Sequence, residues 1–270
     1  MKKKLVFVLL DGLNYDAAYA HMGYMLHLSE KNRIAFFRVN GELPSMSRPI
    51  YEVLMTGTPS SVNGISNNFV TRRSNQVNLF RLAKEQGYRT AAAAYYWFSE
   101  LYNSTPFDRL EDRETENESL DIQFGRFYFE DSYPDSHLFS DGHGLILRHR
   151  PEFVLIHPMG IDHIGHMHGG NSKEYRLKAV EADILLSSLL PVWTEMGYDI
   201  IVTSDHGMNE FGFHGGGSRE ERMVPLWIVS ADCRFTPREE VGQLEIAPLV
   251  CDLLSLRLSA GMGGHGFERA

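Results

Sequence analysis

The chain has 270 residues, 43% of them hydrophobic, which is enough to form a sizeable core in a single α/β domain. Its 26 basic and 35 acidic residues give a formal charge of −9, which repels nucleic-acid backbones, so we expect no nucleic-acid polymer as a partner. No apolar stretch reaches the length of a membrane span, so we also expect no membrane partner and a cytoplasmic protein.

The N-terminal apolar run predicts a strand and not a signal peptide. Leu5–Leu10 is short and leads into Asp11-Gly12 without a small-residue cleavage site. The two cysteines, Cys233 and Cys251, are too few for a disulfide framework and lack CxxC spacing. We therefore expect both to be buried as small apolar residues.

Predicted strands and helices alternate along the chain. In chain order they are strand Leu5–Leu10, helix Pro49–Met55, helix Val77–Gln86, strand Thr90–Tyr95, strand Phe153–His157, helix Lys173–Leu190, strand Asp199–Thr203 and strand Leu226–Val229. This alternation predicts an α/β fold with a mostly parallel central sheet between layers of helices. Residues 103–143 are rich in charge and aromatics with weak periodicity, and predict a small cap or insertion within one domain spanning residues 1–270.

Three clusters of carboxylates and imidazoles each follow a predicted strand. They are Asp11, then Asp162 with His166, and then Asp205-His206 followed by His214. Taken singly, each is more often a turn, a cap or a polar face. Because functional sites collect at the carboxyl ends of strands in open α/β sheets, the three clusters together predict a metal site. Their mixed oxygen and nitrogen donors suit zinc or a similar divalent ion.

The order of these motifs resembles the alkaline phosphatase superfamily, most closely its nucleotide pyrophosphatase/phosphodiesterase branch, which includes phosphonoacetate hydrolases. Further matching stretches run nearly from end to end. They are Leu43-Pro-Ser-Met-Ser-Arg-Pro49, Met55–Pro59, Val62–Asn68, Ala94–Trp97 and Ile246–Leu253. The resemblance implies a metal-dependent hydrolase of phosphate esters or phosphonates that acts on a small molecule.

The resemblance also implies two divalent metal ions, zinc or manganese, held by two sets of ligands. The first set is Asp11, Asp205, His206 and Ser47; the second is Asp162, His166 and His214. One ion would lower the pKa of the Ser47 hydroxyl, and the other would draw charge from the phosphoryl oxygens. Ser47 would then form a covalent phospho-intermediate.

Several residues around the expected nucleophile admit two interpretations. Pro49 fits the first turn of a helix, which places Ser47 near a helix N-terminus, where anions bind; Ser45 is the weaker alternative. Asn68 occupies the position where the branch carries an amide donor to the phosphoryl group, although an Asn there also suits a turn. Arg48 could bind an anion on the substrate or be solvated, and Trp97 could stack on substrate or lie in the core.

Alternative functions remain within and outside the superfamily. A phosphomonoesterase, a phosphonate hydrolase or a phosphomutase would use the same metal ligands in the same roles. A sulfatase is disfavoured because Ser45-Met-Ser-Arg48 lacks the C/S-x-P-x-R spacing. A catalytically inactive metal-binding regulator is the alternative from a different class, and turnover of an aryl phosphate would distinguish it from an enzyme.

Overall fold

The computed structural model describes residues 2–230 and 235–269. Within these residues nine strands form one sheet. They are β1 (Leu5–Leu9), β2 (Ala35–Asn40), β3 (Thr90–Tyr95), β4 (Glu114–Glu116), β5 (Phe124–Tyr128), β6 (Phe153–Ile156), β7 (Asp199–Thr203), β8 (Met223–Val229) and β9 (Val241–Gly242).

The strand order is β4-β5-β3-β6-β1-β7-β8-β2-β9. The five central strands from β5 to β7 are mutually parallel, whereas β4 and β8 run antiparallel to their neighbours β5 and β7. The predicted mostly parallel sheet is therefore confirmed, with antiparallel pairing toward both edges.

Apolar residues on both faces of each central strand explain why the sheet lies between two helical layers. In β1, Phe7 and its same-face neighbours pack into one core cluster, while Val6 and Val8 pack into the other. All five residues of β1 are fully buried. A strand buried on both faces reads as a continuous apolar run, which is why the sequence predicted it correctly.

The helices that the structure describes are α1 (Tyr15–His21), α2 (Gly23–Glu30), α3 (Ser47–Thr56), α4 (Ser60–Asn63), α5 (Leu79–Glu85), α6 (Trp97–Tyr102), α7 (Asp135–His149), α8 (Gly160–His168), α9 (Lys173–Glu195), α10 (Arg219–Arg222) and α11 (Ile246–Leu254). A 3₁₀ turn, Gln243–Glu245, precedes α11. Helix α9 begins at the predicted residue because the Ser172 side chain accepts a hydrogen bond from the Tyr175 backbone. None of the described helices has the length and apolarity needed to cross a lipid bilayer.

The segment 103–143, predicted as a cap over the sheet edge, contributes to the sheet itself. Its strands β4 and β5 extend the sheet beyond β3, and its last residues begin α7. Four of the five residues of β5 are buried, so the strand lacks the polar alternation that would have revealed it. Cys251 is buried in the core as expected, and burial raises the pKa of its thiol to about 12. Cys233 lies outside the described residues.

Candidate active site

The three predicted clusters meet at one edge of the sheet because they follow adjacent parallel strands. Asp11 lies two residues beyond β1, Asp205 two residues beyond β7, and Asp162 in the first turn of α8, which follows β6. Gly12 allows the loop after β1 to approach the first turn of α8 closely. Its φ is +74°, and a Cβ there would lie 2.8 Å from the Asp162 Cα. The three clusters therefore lie together at one edge of the sheet, as predicted.

The first predicted ligand set surrounds the His206 ring. His206 Nε2 lies 3.5 Å from Asp11 Oδ1, 3.2 Å from Asp205 Oδ2 and 3.1 Å from Ser47 Oγ. The other Asp205 oxygen accepts a hydrogen bond from the Gly12 backbone at 3.1 Å. All four predicted ligands of this set are buried, and ligand atoms of Asp11, Asp205 and His206 lie within 4.8 Å of one another.

The second predicted set lies beside the first. Asp162 Oδ2 is 3.4 Å from His166 Nε2, and Asp162 Oδ1 is 3.7 Å from His214 Nε2. The Nε2 atoms of the two histidines are 3.2 Å apart. The rings of His206 and His214 stack with centroids 3.7 Å apart, so the two sets are contiguous.

Backbone carbonyls fix the tautomer of all three histidines. Nδ1 lies 2.8 Å from the Gly212 carbonyl in His166, 2.9 Å from the Gly207 carbonyl in His206, and 2.9 Å from the Ser45 carbonyl in His214. Each Nδ1 therefore donates its proton to a carbonyl, and the Nε2 atoms of His206 and His214 turn their lone pairs toward the carboxylates.

Buried carboxylate oxygens complete an electron-rich centre. Among the described residues, Asp11 Oδ1, Asp162 Oδ1 and Asp205 Oδ2 are buried without a hydrogen-bond partner. Lone pairs of carboxylates and imidazoles that face one another in a buried site are unfavourable unless a cation lies between them. The residues present therefore fit divalent metal ions, and they form two groups, Asp11-Asp205-His206 and Asp162-His206-His214. The second group has His206 where His166 was predicted, and His166 adjoins it, with Nε2 3.2 Å from His214 Nε2.

The electrostatics of the centre reflect the same crowding. Burial raises the pKa of Asp11 and of Asp205 well above the usual range, and the neighbouring carboxylates raise it further. Burial lowers the pKa of His206 and of His214. The Asp162 carboxylate raises the pKa of His166, the most exposed ligand, to about 9.

Ser47 is the first residue of α3 and lies beside the ligand sets. Its N-cap is Met46, and Pro49 occupies the first turn as predicted. Ser45 has a different role, since its Oγ donates to the Gly216 carbonyl at 2.7 Å and accepts from the Gly215 backbone at 3.1 Å. Of the two serines, Ser47 is therefore the one beside the ligand sets.

Asn68 lies next to the start of α3. Its Oδ1 accepts a hydrogen bond from the Arg48 backbone N–H at 3.0 Å. With Oδ1 engaged in this way, the Nδ2 group of the half-buried amide remains available as a donor.

Arg48 packs against the half-buried Trp97 instead of facing solvent. The Arg48 guanidinium donates to Glu100 Oε2 at 2.6 Å and lies 4.5 Å above the Trp97 ring centroid. Arg48 is only 1% exposed, so the interpretation as a solvated surface arginine is wrong. The residue is buried because Glu100, on α6, supplies the opposite charge.

Two residues of the site were not predicted. His157, directly after β6, lies with Nε2 2.9 Å from Asp11 Oδ2, and the Tyr51 hydroxyl on α3 donates to the same oxygen. The His157 Nδ1 accepts from the Tyr95 backbone at 3.4 Å, so Nε2 carries the proton that His157 donates to Asp11. Both side chains are fully buried, and they hold Asp11 Oδ2 so that Oδ1 faces the centre.

Fold and site together define a member of the alkaline phosphatase superfamily, with a phosphodiesterase-type arrangement of motifs. The chain belongs to the type I phosphodiesterase/nucleotide pyrophosphatase family, whose sequence profile matches residues 5–215.

Two of the relatives that the chain resembles are transferases by name. The chain is 26% identical to the catalytic subunit of human GPI ethanolamine phosphate transferase 2 over 271 residues, which cover 94% of this chain and 26% of that protein. It is 30% identical over 141 residues to GPI ethanolamine phosphate transferase 2 of Schizosaccharomyces pombe, covering 44% of this chain and 18% of that protein. The chain thus spans only about a quarter, or less, of these relatives' length.

Among solved structures, human ectonucleotide pyrophosphatase/phosphodiesterase 5 superposes with a TM-score of 0.74. The identity is 13%, and the alignment covers 97% of each chain. At this identity the likeness shows the fold alone, and it confirms the predicted architecture.

Proposed function

We propose that this protein cleaves phosphodiesters of small molecules through a covalent intermediate on Ser47. The observation that carries the proposal is the position of Ser47 Oγ, 3.1 Å from His206 Nε2, at the N-terminus of α3 and beside both ligand sets. A hydroxyl placed among metal ligands at a helix N-terminus suits attack on an anionic phosphoryl group.

The reaction has two displacements at phosphorus. In the first, Ser47 Oγ forms a bond to phosphorus and the bond from phosphorus to the departing alcohol oxygen breaks. The Ser47 proton passes to solvent, and the departing alkoxide takes up a proton from solvent. In the second, a water oxygen bonds to phosphorus, the Oγ–P bond breaks and Ser47 regains its proton.

Divalent ions, for which we propose zinc, held by Asp11, Asp205 and His206 and by Asp162, His166 and His214, would lower the pKa of the Ser47 hydroxyl and balance the phosphoryl charge. The chain's own contribution is to hold these side chains in place before the substrate arrives. The backbone carbonyls on each histidine Nδ1 do this for the imidazoles, and Tyr51 and His157 do it for Asp11.

Asn68 supports a diester as the substrate. Its amide group can donate to one non-bridging oxygen of a singly charged phosphoryl group. A monoester carries a second charge, which usually demands a further cationic contact. Arg48 does not provide one, because its guanidinium is buried against Glu100 and Trp97.

The acceptor in the second displacement could be either water or an alcohol. The relatives named above are called ethanolamine phosphate transferases. A transferase passes its phosphoester group to an acceptor other than water. The same Ser47 intermediate could pass to an alcohol, with the alcohol oxygen replacing the water oxygen. Product analysis over a series of methanol concentrations distinguishes the two, since a transferase yields the methyl phosphodiester in excess over methanol's share of the solvent, whereas a hydrolase yields mainly the monoester.

Paired serine variants test the nucleophile. Ser47→Ala should reduce kcat for an aryl phosphodiester by several orders of magnitude while the metal content stays near that of the wild type. Ser45→Ala is the matched control and should have a mild effect, because its hydroxyl bonds only backbone groups of Gly215 and Gly216. If Ser47→Ala keeps most of the wild-type kcat and Ser45→Ala loses it, the proposal is contradicted.

A further inference from the structure

One carboxylate of the candidate site lacks the donors that hold the other two. Asp11 and Asp205 each accept a hydrogen bond from a group outside the ligand sets. Among the described residues, the ion pairs of Asp162 are with His166 and His214, both from its own ligand set, and its Oδ1 has no hydrogen-bond partner. The direction of the Asp162 carboxylate therefore depends on the backbone that carries it, the first turn of α8.

A carboxylate from another helix holds the start of α8. The N-cap residue of α8 is the buried Met159, whose side chain makes no capping hydrogen bond. Instead Asp135, the first residue of α7, accepts from the Gly160 backbone N–H at 3.1 Å. Gly160 is the first residue of α8 and lies two positions before Asp162. One of the N–H groups that a helix leaves without an intrahelical partner is thus satisfied from α7.

The contact between Asp135 and Gly160 is tightly enclosed. Asp135 is only 4% exposed, and its other oxygen, Oδ2, lies 3.2 Å from Lys178 Nζ on α9. A Cβ at Gly160 would overlap Asp135 Oδ2 and Lys178 Cε. Three helices therefore meet at this point, and a shift of the start of α8 breaks the contact.

We propose that Asp135 is a positioning residue that holds the start of α8 so that Asp162 faces the metal centre. The inference rests on the two-metal part of the proposed function. Asp135 belongs to neither ligand set and acts through the backbone of α8. His166 lies one turn beyond Asp162 on the same helix, so it would follow the same shift. Because the first ligand set takes no residue from α8, a loosened α8 should weaken the second ion selectively.

Competition between the full-length protein and a chelator for zinc tests this role. Asp135→Ala removes the acceptor, and we expect the affinity for one of the two zinc ions to fall by roughly 10–100-fold, the usual effect of losing a residue that orients a ligand. The affinity for the other ion should stay near that of the wild type. Asp135→Asn keeps an oxygen that can accept from the Gly160 backbone, so this variant should retain most of the affinity.

Asp183→Ala is the matched control for the loss of a buried carboxylate. Asp183 is 6% exposed and accepts from backbone N–H groups at the start of a different helix, α2, from Tyr24 at 2.8 Å and from Met25 at 3.1 Å. Since α2 carries no residue of the ligand sets, Asp183→Ala should bind both zinc ions like the wild type. Equal losses in Asp135→Ala and Asp183→Ala would assign the effect to general loosening and overturn the proposal.

A pair of glycine variants perturbs the same contact from α8, and it decides the question if Asp135→Ala does not fold. Gly160→Ala places a methyl group against the Asp135 carboxylate. Gly23→Ala is its control, because Gly23 is the first residue of α2 and nothing lies within 4 Å of a Cβ there. We expect Gly160→Ala to weaken one zinc ion and Gly23→Ala to weaken neither.

The remaining outcomes separate this role from the proposed function. If the wild type binds two zinc ions and the variants at Asp135 and Gly160 bind them equally well, Asp135 has no positioning role, and the proposed function stands. If the wild type binds two zinc ions but cleaves no phosphodiester, the proposed function fails, and the zinc affinities still decide the role of Asp135. If the wild type binds neither zinc nor manganese, both proposals fail.

Discussion

Removing the Tyr51 hydroxyl should weaken divalent-metal binding without unfolding the protein. Tyr51 lies on α3 and donates to Asp11 Oδ2, while His157 Nε2 contacts the same oxygen at 2.9 Å. Burial raises the pKa of Tyr51 far above its usual range, so the phenol remains a protonated donor. In Tyr51→Phe the Asp11 carboxylate keeps one of its two donors and can rotate away from the centre.

The expected loss follows from the charge of the acceptor. A hydrogen bond to a charged group contributes about 1.5–3 kcal/mol, which corresponds to roughly a 10–100-fold change in affinity. Residues that orient a metal ligand have effects of the same size, about 10–100-fold. Competition with a fluorescent chelator, with zinc or manganese titrated into wild type and Tyr51→Phe, measures the change directly.

Tyr102→Phe is the matched control for this prediction. Its hydroxyl is equally buried and donates to Glu52 Oε2 at 3.0 Å, but Glu52 is outside both ligand sets. We expect this variant to bind metal like the wild type. If Tyr51→Phe also binds like the wild type, Asp11 is oriented by other contacts; if both variants lose affinity equally, general loosening of the core is the cause.

Three further outcomes follow from individual side chains. Asn68→Ala should cost about 2–4 kcal/mol in the transition state for an aryl diester, and a preference for the matching monoester that this change leaves unaltered would contradict the diester assignment. Arg48→Ala should destabilise the fold by about 3–5 kcal/mol, because Glu100 is left buried and unpaired; urea unfolding measures this, and an unchanged midpoint would refute it. Asp162→Ala should lose one of two bound metal ions and most of the turnover, as metal analysis and kinetics would show, whereas full activity in chelated wild type would end the two-metal proposal.

Local sequence predicted that the three clusters would meet, because the sheet brings strand ends together, whereas their division into two ligand sets came from the family resemblance. Asp11, Asp162 and Asp205 each follow a strand that reads as a short apolar run, and β6, β1 and β7 are neighbours. Once these runs are recognised as parallel strands, their polar successors must share an edge. That step requires no knowledge of side-chain contacts, and this is why it succeeded.

The residues that hold Asp11 could not be found in the same way. His157 ends an apolar run and looks like many other polar residues after strands, and its role depends on Asp11, 146 positions away in sequence. Tyr51 lies on a helix whose ten residues are all buried, so no polar face marks the hydroxyl that reaches the site. One signal was available in the sequence: His157 follows β6 just as Asp11 follows the neighbouring strand β1.

Arg48 shows a second limit of sequence reasoning. An arginine beside a nucleophile suggests either a substrate anion or solvent, because burial of a guanidinium is rare unless a partner is present. The partner, Glu100, is 52 positions away on α6, and Trp97 lies under the guanidinium. Long-range pairing of this kind is determined by tertiary packing, which the periodicity of α3 does not report.

The buried neutral imidazole of His157 should make metal-free protein sensitive to acid. Burial lowers the pKa of His157 to about 3, whereas a histidine in the unfolded chain titrates at about 6.5. Protons therefore bind the unfolded state preferentially between these values. The stability contributed by His157 is present above about pH 6.5 and is lost as the pH falls toward 3.

His157→Gln isolates this effect, because glutamine can donate to Asp11 but does not titrate. From pH 7.5 to 5.5 the wild type should lose about 1.4 kcal/mol more unfolding free energy than the variant. Urea denaturation of chelator-treated proteins at both pH values measures the difference. His206 and His214, whose pKa burial also lowers, are present in both proteins, so their contributions cancel. If the two proteins lose stability in parallel, His157 takes up a proton in the folded state as readily as in the unfolded one, and its assignment as a neutral donor that holds Asp11 is wrong.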